Sequence, residues 1–352
     1  MKKLILHIGR AKTGTTAIQQ FCNDHTNILA SQGILYPQTG IFYGGHHPIA
    51  GALSGDAARW TKRVSDLEEC IQTIIDECTH TGLDTVLLSS EGFQGRDISK
   101  LIRLLPEVSI NVLMFVRRHD RFYESLVSQD IKVGLLNIVP SWTEGFYEMV
   151  LAHSSEANYF STFLGREAIK VGLYEEGIDV VEKFASLLDI SLPKEKRKTR
   201  GTESTNTGMS TTDIGACLLF NRLYPASKDR QAFVEALTTP SALEPADNQP
   251  RWWRAGMFLK MDEREKLLER MRFDVDALVE KFSFTPEDAS QMAKVPEECL
   301  DACPPSSGAI FRRLGELAKT TSQIEALMNE GYRTFYRPFS YEEYSFGLEK
   351  IT

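Results

Sequence analysis

The sequence lacks the features that would place it in a membrane, a secretory pathway or a nucleic-acid complex. No apolar run reaches the roughly 20 residues that a bilayer span requires. The first residues lack the apolar segment and small-residue cleavage site of a signal peptide. Positive charge is in deficit: 40 Lys and Arg against 48 Asp and Glu give a formal net charge of −8. That excludes a generally basic surface for nucleic acid or heparin-like polyanions. The six cysteines (Cys22, Cys70, Cys78, Cys217, Cys299, Cys303) are scattered without a CxxC pair. Reduced thiols in a cytoplasmic protein are therefore expected, although Cys299 and Cys303 could meet on one helix. Internal repeats and low-complexity tracts are also missing. What remains is a chain of 352 residues, 42% hydrophobic and 25% charged, the composition of a globular protein of one large domain or two ordinary ones.

Its most informative stretch comes first. Lys3 to Ile8 reads as a short buried strand that runs directly into Gly9-Arg10-Ala11-Lys12-Thr13-Gly14-Thr15-Thr16. A helix follows, with Ile18, Phe21, Cys22, His25 and Leu29 at helical spacing and Gly33 where a C-cap belongs. A strand, a glycine-bounded turn and a helix N-terminus gather backbone N–H groups and the positive end of a helix dipole, which makes an anion site. The two glycines fit the first and sixth positions of the phosphate-loop pattern G-x-x-x-x-G-K-[ST], and Thr16 fits the last. Thr15, however, stands where the lysine belongs, and Lys12 lies three residues earlier. The cation approaches such an anion from a different direction than in an ATPase.

Strands and helices then alternate. Ile34 to Pro37 is a short extended segment, and Thr39 to His47 is a loop rich in glycine and aromatic residues. Val64 to Cys78 has helical periodicity, Thr85 to Ser90 is a buried strand followed by Glu91, and Asp97 to Leu105 is a helix. Ile110 to Val116 is a second core strand ending at Arg117. Phe122, Leu126, Gln129 and Val133 mark the next helix, Ile169 to Glu175 a further strand, and Asp179 to Leu188 its following helix. This alternation predicts an α/β fold with a parallel sheet flanked by helices. Ligands of such sheets collect at the carboxyl ends of the strands, and three of those ends carry Lys12, Glu91 and Arg117. Arg117, Arg118, His119 and Arg121 form the visible local basic patch. Residues 194–208 read as a loop or lid. From Ser210 the pattern is mainly helical, with one or two long helices over Leu259 to Phe282 and with Trp252 and Trp253 as packing residues in a proline-bearing stretch. The expected division is an α/β core over 1–208 and a mainly helical region over 209–352, packed on the core as part of the same structural domain.

Lys12-Thr13-Gly14-Thr15-Thr16 resembles the 5′-phosphosulfate loop of the sulfotransferases that use 3′-phosphoadenosine 5′-phosphosulfate (PAPS). The longer run Leu6 to Thr16 with Ile18-Gln19, and the run Gly33-Ile34-Leu35-Tyr36-Pro37, are similar to bacterial members of that family. Arg117 and Ser125, eight positions apart after a core strand, match the arginine and serine with which the family holds the 3′-phosphate. Arginine suits that role because its planar fork meets phosphate oxygens in pairs. The likeness covers about the first 200 residues. It implies a cytoplasmic, P-loop-like enzyme that moves a sulfuryl group from PAPS to a hydroxyl or amine and releases adenosine 3′,5′-bisphosphate. A small-molecule or glycan acceptor, with a carbohydrate or glycolipid first, is expected by analogy alone, with no metal, nucleic acid or membrane span required.

The resemblance also assigns residues. The nucleotide is expected on Arg10, Lys12, Thr13, Gly14, Thr15, Thr16, Arg117 and Ser125, with Tyr174 by the adenine. Lys12 is the expected catalytic cation. The expected base is Glu91, which occupies the chain position of the catalytic histidine in cytosolic sulfotransferases, with His46 and His47 in reserve. Two other readings stay open. A P-loop kinase would use ATP and Mg²⁺, although the clear core strands end in Ser-Ser-Glu and Arg-Arg rather than in a metal-binding aspartate. A PAPS- or glycan-binding protein without catalysis would keep the anion sites alone.

Overall fold

In the computed structural model the described residues are 1–10, 12–54, 66–143, 145–175, 179–192, 209–224, 230–237, 258–295 and 307–318. Expectations for the 194–208 lid, for Trp252 and Trp253 and for Cys299 and Cys303 fall outside them. The chain runs β1 (Lys3–Ile8), α1 (Thr15–Asp24), α2 (Thr26–Ser31), β2 (Ile34–Leu35), α3 (His47–Ser54), α4 (Leu67–Thr81) and β3 (Thr85–Ser90). It continues through α5 (Ser99–Leu104), β4 (Ser109–Val116), α6 (His119–Val133), α7 (Gly145–Leu151), α8 (His153–Leu164), β5 (Ile169–Leu173) and α9 (Val180–Leu187). Further helices include α10 (Thr211–Leu223), α11 (Arg230–Leu237) and those over Met261–Arg270 and Arg272–Lys281. Of the one or two helices expected over Leu259 to Phe282 there are two, divided at Met271.

The contacts divide the chain into two compact units. The first takes the described residues of 1–118, 152–203 and 271–293, and the second those of 119–151, 204–270 and 294–352. This division does not follow the expected boundary at 208. The helix Arg272–Lys281 packs on α8 in the first unit, and α6 packs on α10 in the second.

The first unit is built on an all-parallel five-stranded sheet in the order β2-β3-β1-β4-β5. Strands covered on both faces read as near-continuous apolar runs, and their alternation sorts the side chains into two cores. Leu4, Leu6, Ile8, Val86, Leu88, Val112, Met114 and Val116 join the core shared with α3, α4, α5 and α8. Ile5, Leu87, Leu113 and Phe115 join Ile18, Phe21, Val180 and Phe184 on the opposite face. The register sets Ile8 beside Ser90 on one side and Met114 on the other. The residues that follow these strands therefore emerge at one edge of the sheet.

In the second unit α6 is buried along most of its length. Arg264 is fully enclosed and donates to Asp120 at 2.8 Å and to Glu124. The Glu124 carboxylate also accepts from the peptide N–H groups of Phe258 and Leu259. Buried carboxylates persist where opposite charges and N–H donors surround them. Burial corrects the expected basic patch: Arg118, His119 and Arg121 are buried. Arg118 faces Glu175 at 3.8 Å and Arg121 faces Glu124 at 3.9 Å.

Two buried histidines couple this fold to pH. His7 meets Ser89 Oγ through Nδ1 at 2.7 Å and packs edge-on against Phe115 and Phe184. Burial pushes its imidazole down to about 3, and that of His46 to about 4. Both rings stay neutral in the folded chain while the unfolded chain protonates them below about 6.5. Their contribution is complete above that pH and is lost as pH falls through the window down to the folded values. Unfolding free energy from urea titrations should fall by about 1.4 kcal/mol per pH unit for each ring between roughly pH 6 and 4.5. His7→Gln should reduce that slope by close to one proton, and an unchanged slope would contradict the account.

Candidate functional site at the carboxyl edge of the sheet

The turn between β1 and α1 is anchored on one carbonyl. Arg10 C=O accepts from Thr13 N–H at 3.3 Å and from Thr13 Oγ1 at 2.6 Å, with Thr15 Oγ1 at 3.5 Å. Folding back this tightly brings Thr15 onto Gly9, where a Cβ would lie 2.3 Å from Thr15 Oγ1. Lys12 and Gly14 take left-handed backbone, with φ of 68° and 81°. Gly14 tolerates this freely, whereas Lys12 holds it at a cost. No side chain caps the start of α1, and its first turn holds no acidic residue. Its leading N–H groups and the positive end of its dipole are thus offered at the loop. Lys12 and Thr16 are exposed there, while Thr13 and Thr15 are buried.

The neighbouring strand ends close on the same loop. Arg117 follows β4 and its Nη1 donates to Lys12 C=O at 3.4 Å. Its guanidinium lies over the Tyr174 ring, 5.5 Å from the centroid. Tyr174 follows β5, its N–H donates to Val116 C=O at 2.7 Å, and its ring edges Gly14 so closely that a Cβ would meet it at 2.8 Å. Beneath them lies a buried polar scaffold. His153 Nε2 meets Arg117 C=O at 2.7 Å, and Asp274 accepts from the N–H groups of His153 and Ser154 at 2.9 and 2.7 Å, capping α8. The buried Arg10 side chain donates to Ala152 C=O at 3.2 Å, in the field of Glu156 and Asp274. Arg10 is thus built into the scaffold.

Glu91 begins a single 3-10 turn directly after β3. It is open to solvent yet sits in a concavity, so surrounding protein raises its carboxyl pKa. The Thr15 hydroxyl bond and the Lys12 charge oppose that rise. His47, Gly51, Glu91, Gly92 and Arg96 line a cavity of about 360 Å³ beside it. His47 Nδ1 meets Ser90 Oγ at 2.9 Å, and Ser90 Oγ also accepts Gly92 N–H at 3.0 Å. Burial lowers the His47 pKa, favouring the neutral ring. His46 is placed differently: it is fully buried, its Nε2 faces Pro37 C=O at 3.1 Å and its Nδ1 accepts Ser89 N–H at 3.2 Å. Both of its nitrogens are used by the backbone, which leaves no lone pair for acid–base work.

The first unit therefore brings together Lys12, Thr15, Glu91, Arg117 and Tyr174, with His47 at the adjoining cavity. Ser125 is buried on α6, in the second unit. Arg96, Ser90 and His153 enter the description from the structure alone, since no motif or spacing marks them. Neither protein-family models nor curated proteins give a match to this chain.

The crowding at Gly9 supplies a direct test of this loop. Gly9→Ala must displace Thr15, and overpacking of this kind costs about 1–3 kcal/mol in urea unfolding. Equal stability of Gly9→Ala and the parent would mean that Thr15 does not close on Gly9.

Proposed function

We propose that this protein is a PAPS-dependent sulfotransferase acting on a hydroxyl or amine acceptor. The observation that carries the reading is the convergence of Lys12, Arg117 and an uncapped helix start on one side of Glu91. A donor with a 3′-phosphate and a 5′-phosphosulfate needs two anion sites, and Arg117 and the Lys12 loop are suited to them. Tyr174 offers a ring face beside both for the adenine.

In the proposed reaction Glu91 takes the proton of the acceptor O–H or N–H as that atom bonds to sulfur. The bond from sulfur to the oxygen of the 5′-phosphate breaks, and its electron pair stays on that oxygen. Lys12 and the N–H groups opening α1 stabilise the charge appearing there. Groups fixed in place before the charge develops favour the transition state over the ground state. A carboxylate whose pKa is raised by its surroundings is a better base at neutral pH than an ordinary one. The products are the sulfated acceptor and adenosine 3′,5′-bisphosphate.

Three measurements test this. Adenosine 3′,5′-bisphosphate should raise the melting temperature well above the effect of ADP or of ATP with Mg²⁺, because a ligand of the native state stabilises it by linkage. Arg117→Ala should remove most of that preference, and stronger stabilisation by ATP with Mg²⁺ would return the kinase reading. Turnover of PAPS should survive EDTA, since Lys12 and backbone N–H groups suffice for the 5′ end; an absolute Mg²⁺ requirement would count against the assignment.

Kinetics separate the two catalytic roles. Lys12→Ala and Glu91→Gln should each lower kcat by about a hundredfold or more, with Glu91→Gln leaving bisphosphate affinity nearly intact. Full turnover in Glu91→Gln together with loss in a His47 variant would move the base to His47.

A further inference from the structure

The loop after β1 and the turn after β4 are tied to each other beyond the reach of the sheet. Pairing between β1 and β4 stops at Ile8 and Met114, whereas β4 runs on beside β5 to Val116 and Leu173. The β1–β4 ladder therefore does not set how far the loop stands from Arg117. A side-chain bridge spans that gap. At the loop end Arg10 holds Thr13 through its C=O and donates from Nη1 to Ala152 C=O at 3.2 Å. At the other end His153, the next residue, meets Arg117 C=O at 2.7 Å. A carbonyl only accepts, so the ring Nε2–H is the donor. The middle of the bridge is held as well. Asp274 accepts from the N–H groups of His153 and Ser154 at 2.9 and 2.7 Å, and Ser155 Oγ donates to Ala152 C=O at 2.6 Å. Arg10, His153 and Asp274 are buried, where hydrogen bonds are strong and networks of them rigid. On the exposed side Arg117 Nη1 reaches back to Lys12 C=O at 3.4 Å and closes the ring. All of these residues belong to the first unit.

A nucleotide phosphorylated at both ends of one ribose is short and stiff. It gains from two anion sites only when they stand at its own spacing, and the second contact is then intramolecular and adds to the first. A misplacement of about 1 Å forfeits much of such a gain. We infer that the buried bridge from Arg10 through Ala152 and His153 to Arg117 sets the distance between the two anion sites, and that His153 is its positioning residue. The inference rests on the sulfotransferase reading, which puts a phosphate at each end of the bridge. Arg10 and His153 act here through the carbonyls that they hold, so no charge on either has to be available to a ligand. Asp274 brings a helix from far along the chain into the same task.

The test compares three ligands on the full chain by calorimetric titration: adenosine 5′-phosphate, adenosine 3′-phosphate and adenosine 3′,5′-bisphosphate. Two amide variants of His153 differ only in reach. The amide nitrogen of Gln extends as far as the imidazole Nε2, and that of Asn stops one methylene short. The parent should bind the bisphosphate about tenfold or more tightly than either monophosphate. His153→Asn should lower bisphosphate affinity about fivefold or more and leave each monophosphate within about twofold, whereas His153→Gln should keep all three within about twofold. A general loosening of the fold would weaken all three ligands alike in His153→Asn. Damage confined to the Arg117 end would weaken the 3′-phosphate together with the bisphosphate. Either pattern would overturn the inference, as would parent-like bisphosphate binding in His153→Asn. Arg10→Met cuts the bridge at its other end and should lower the ratio of bisphosphate to 5′-phosphate affinity by a similar factor. Combining it with His153→Asn should cost little more than either change alone, because a bridge is lost once at whichever end it is cut. If His153→Asn fails to fold, the ratio in Arg10→Met decides. A parent that binds the bisphosphate no more tightly than the 5′-phosphate would overturn the sulfotransferase reading and the inference with it. Discrimination that persists with the bridge cut would overturn the inference alone.

Discussion

Everything at the carboxyl edge of the sheet depends on one close approach, that of the Thr15 side chain to the bare backbone of Gly9. Only a residue without a Cβ lets the first turn of α1 return so near the end of β1. That return places Thr15 against Arg10 C=O on one side and Glu91 on the other. The same turn holds left-handed backbone at Lys12 and Gly14, and the bare Gly14 leaves room for the Tyr174 ring. The cost is local strain of about 1–2 kcal/mol at Lys12, which tightly packed surroundings hold in place. The backbone of the lysine is thereby set at the entrance of the loop.

Strand register does the rest. Because β1 lies between β3 and β4, the residues that leave the three strands become neighbours without any long connection. Arg117 needs only its own length to reach Lys12 C=O, and His153 and Asp274 hold the backbone beneath it. A parallel sheet creates such a crevice wherever connections leave neighbouring strands for opposite faces. In this chain α1, after β1, goes to one face and α5, after the neighbouring β3, to the other.

Much of this arrangement is legible in the sequence. The apolar runs of β1, β3 and β4 were readable because each is buried on both faces and bounded by a turn or a charged residue. Their alternation with helices fixed the parallel sheet, and the glycine spacing fixed the loop. The adjacent histidines were not separable in sequence. His46 and His47 differ by one residue, yet one is consumed by Pro37 and Ser89 while the other lines a cavity. That difference arises from where α3 begins, a tertiary matter. Arg118 reads as surface charge because the acid that receives it, Glu175, is matched only in the fold; Arg121 pairs with Glu124 one turn on, but its spacing does not show that α6 is buried. Arg96 carried no signal, since an arginine in a polar loop is unremarkable until a concave wall forms around it.

The two packed faces of the sheet also give the edge two separate foundations. The Lys12 loop leans on α1 and α9 through Ile18, Phe21, Val180 and Phe184. The cavity walls belong to α3 and the turn after β3, which share the other core through Ile49, Ala50 and Phe93. A drift in side-chain size on the second face can reshape the cavity without shifting the anchor of the loop. Descendants of this chain could therefore exchange what enters the cavity while inheriting the loop unchanged, with Thr15 and Glu91 as the hinge between the two.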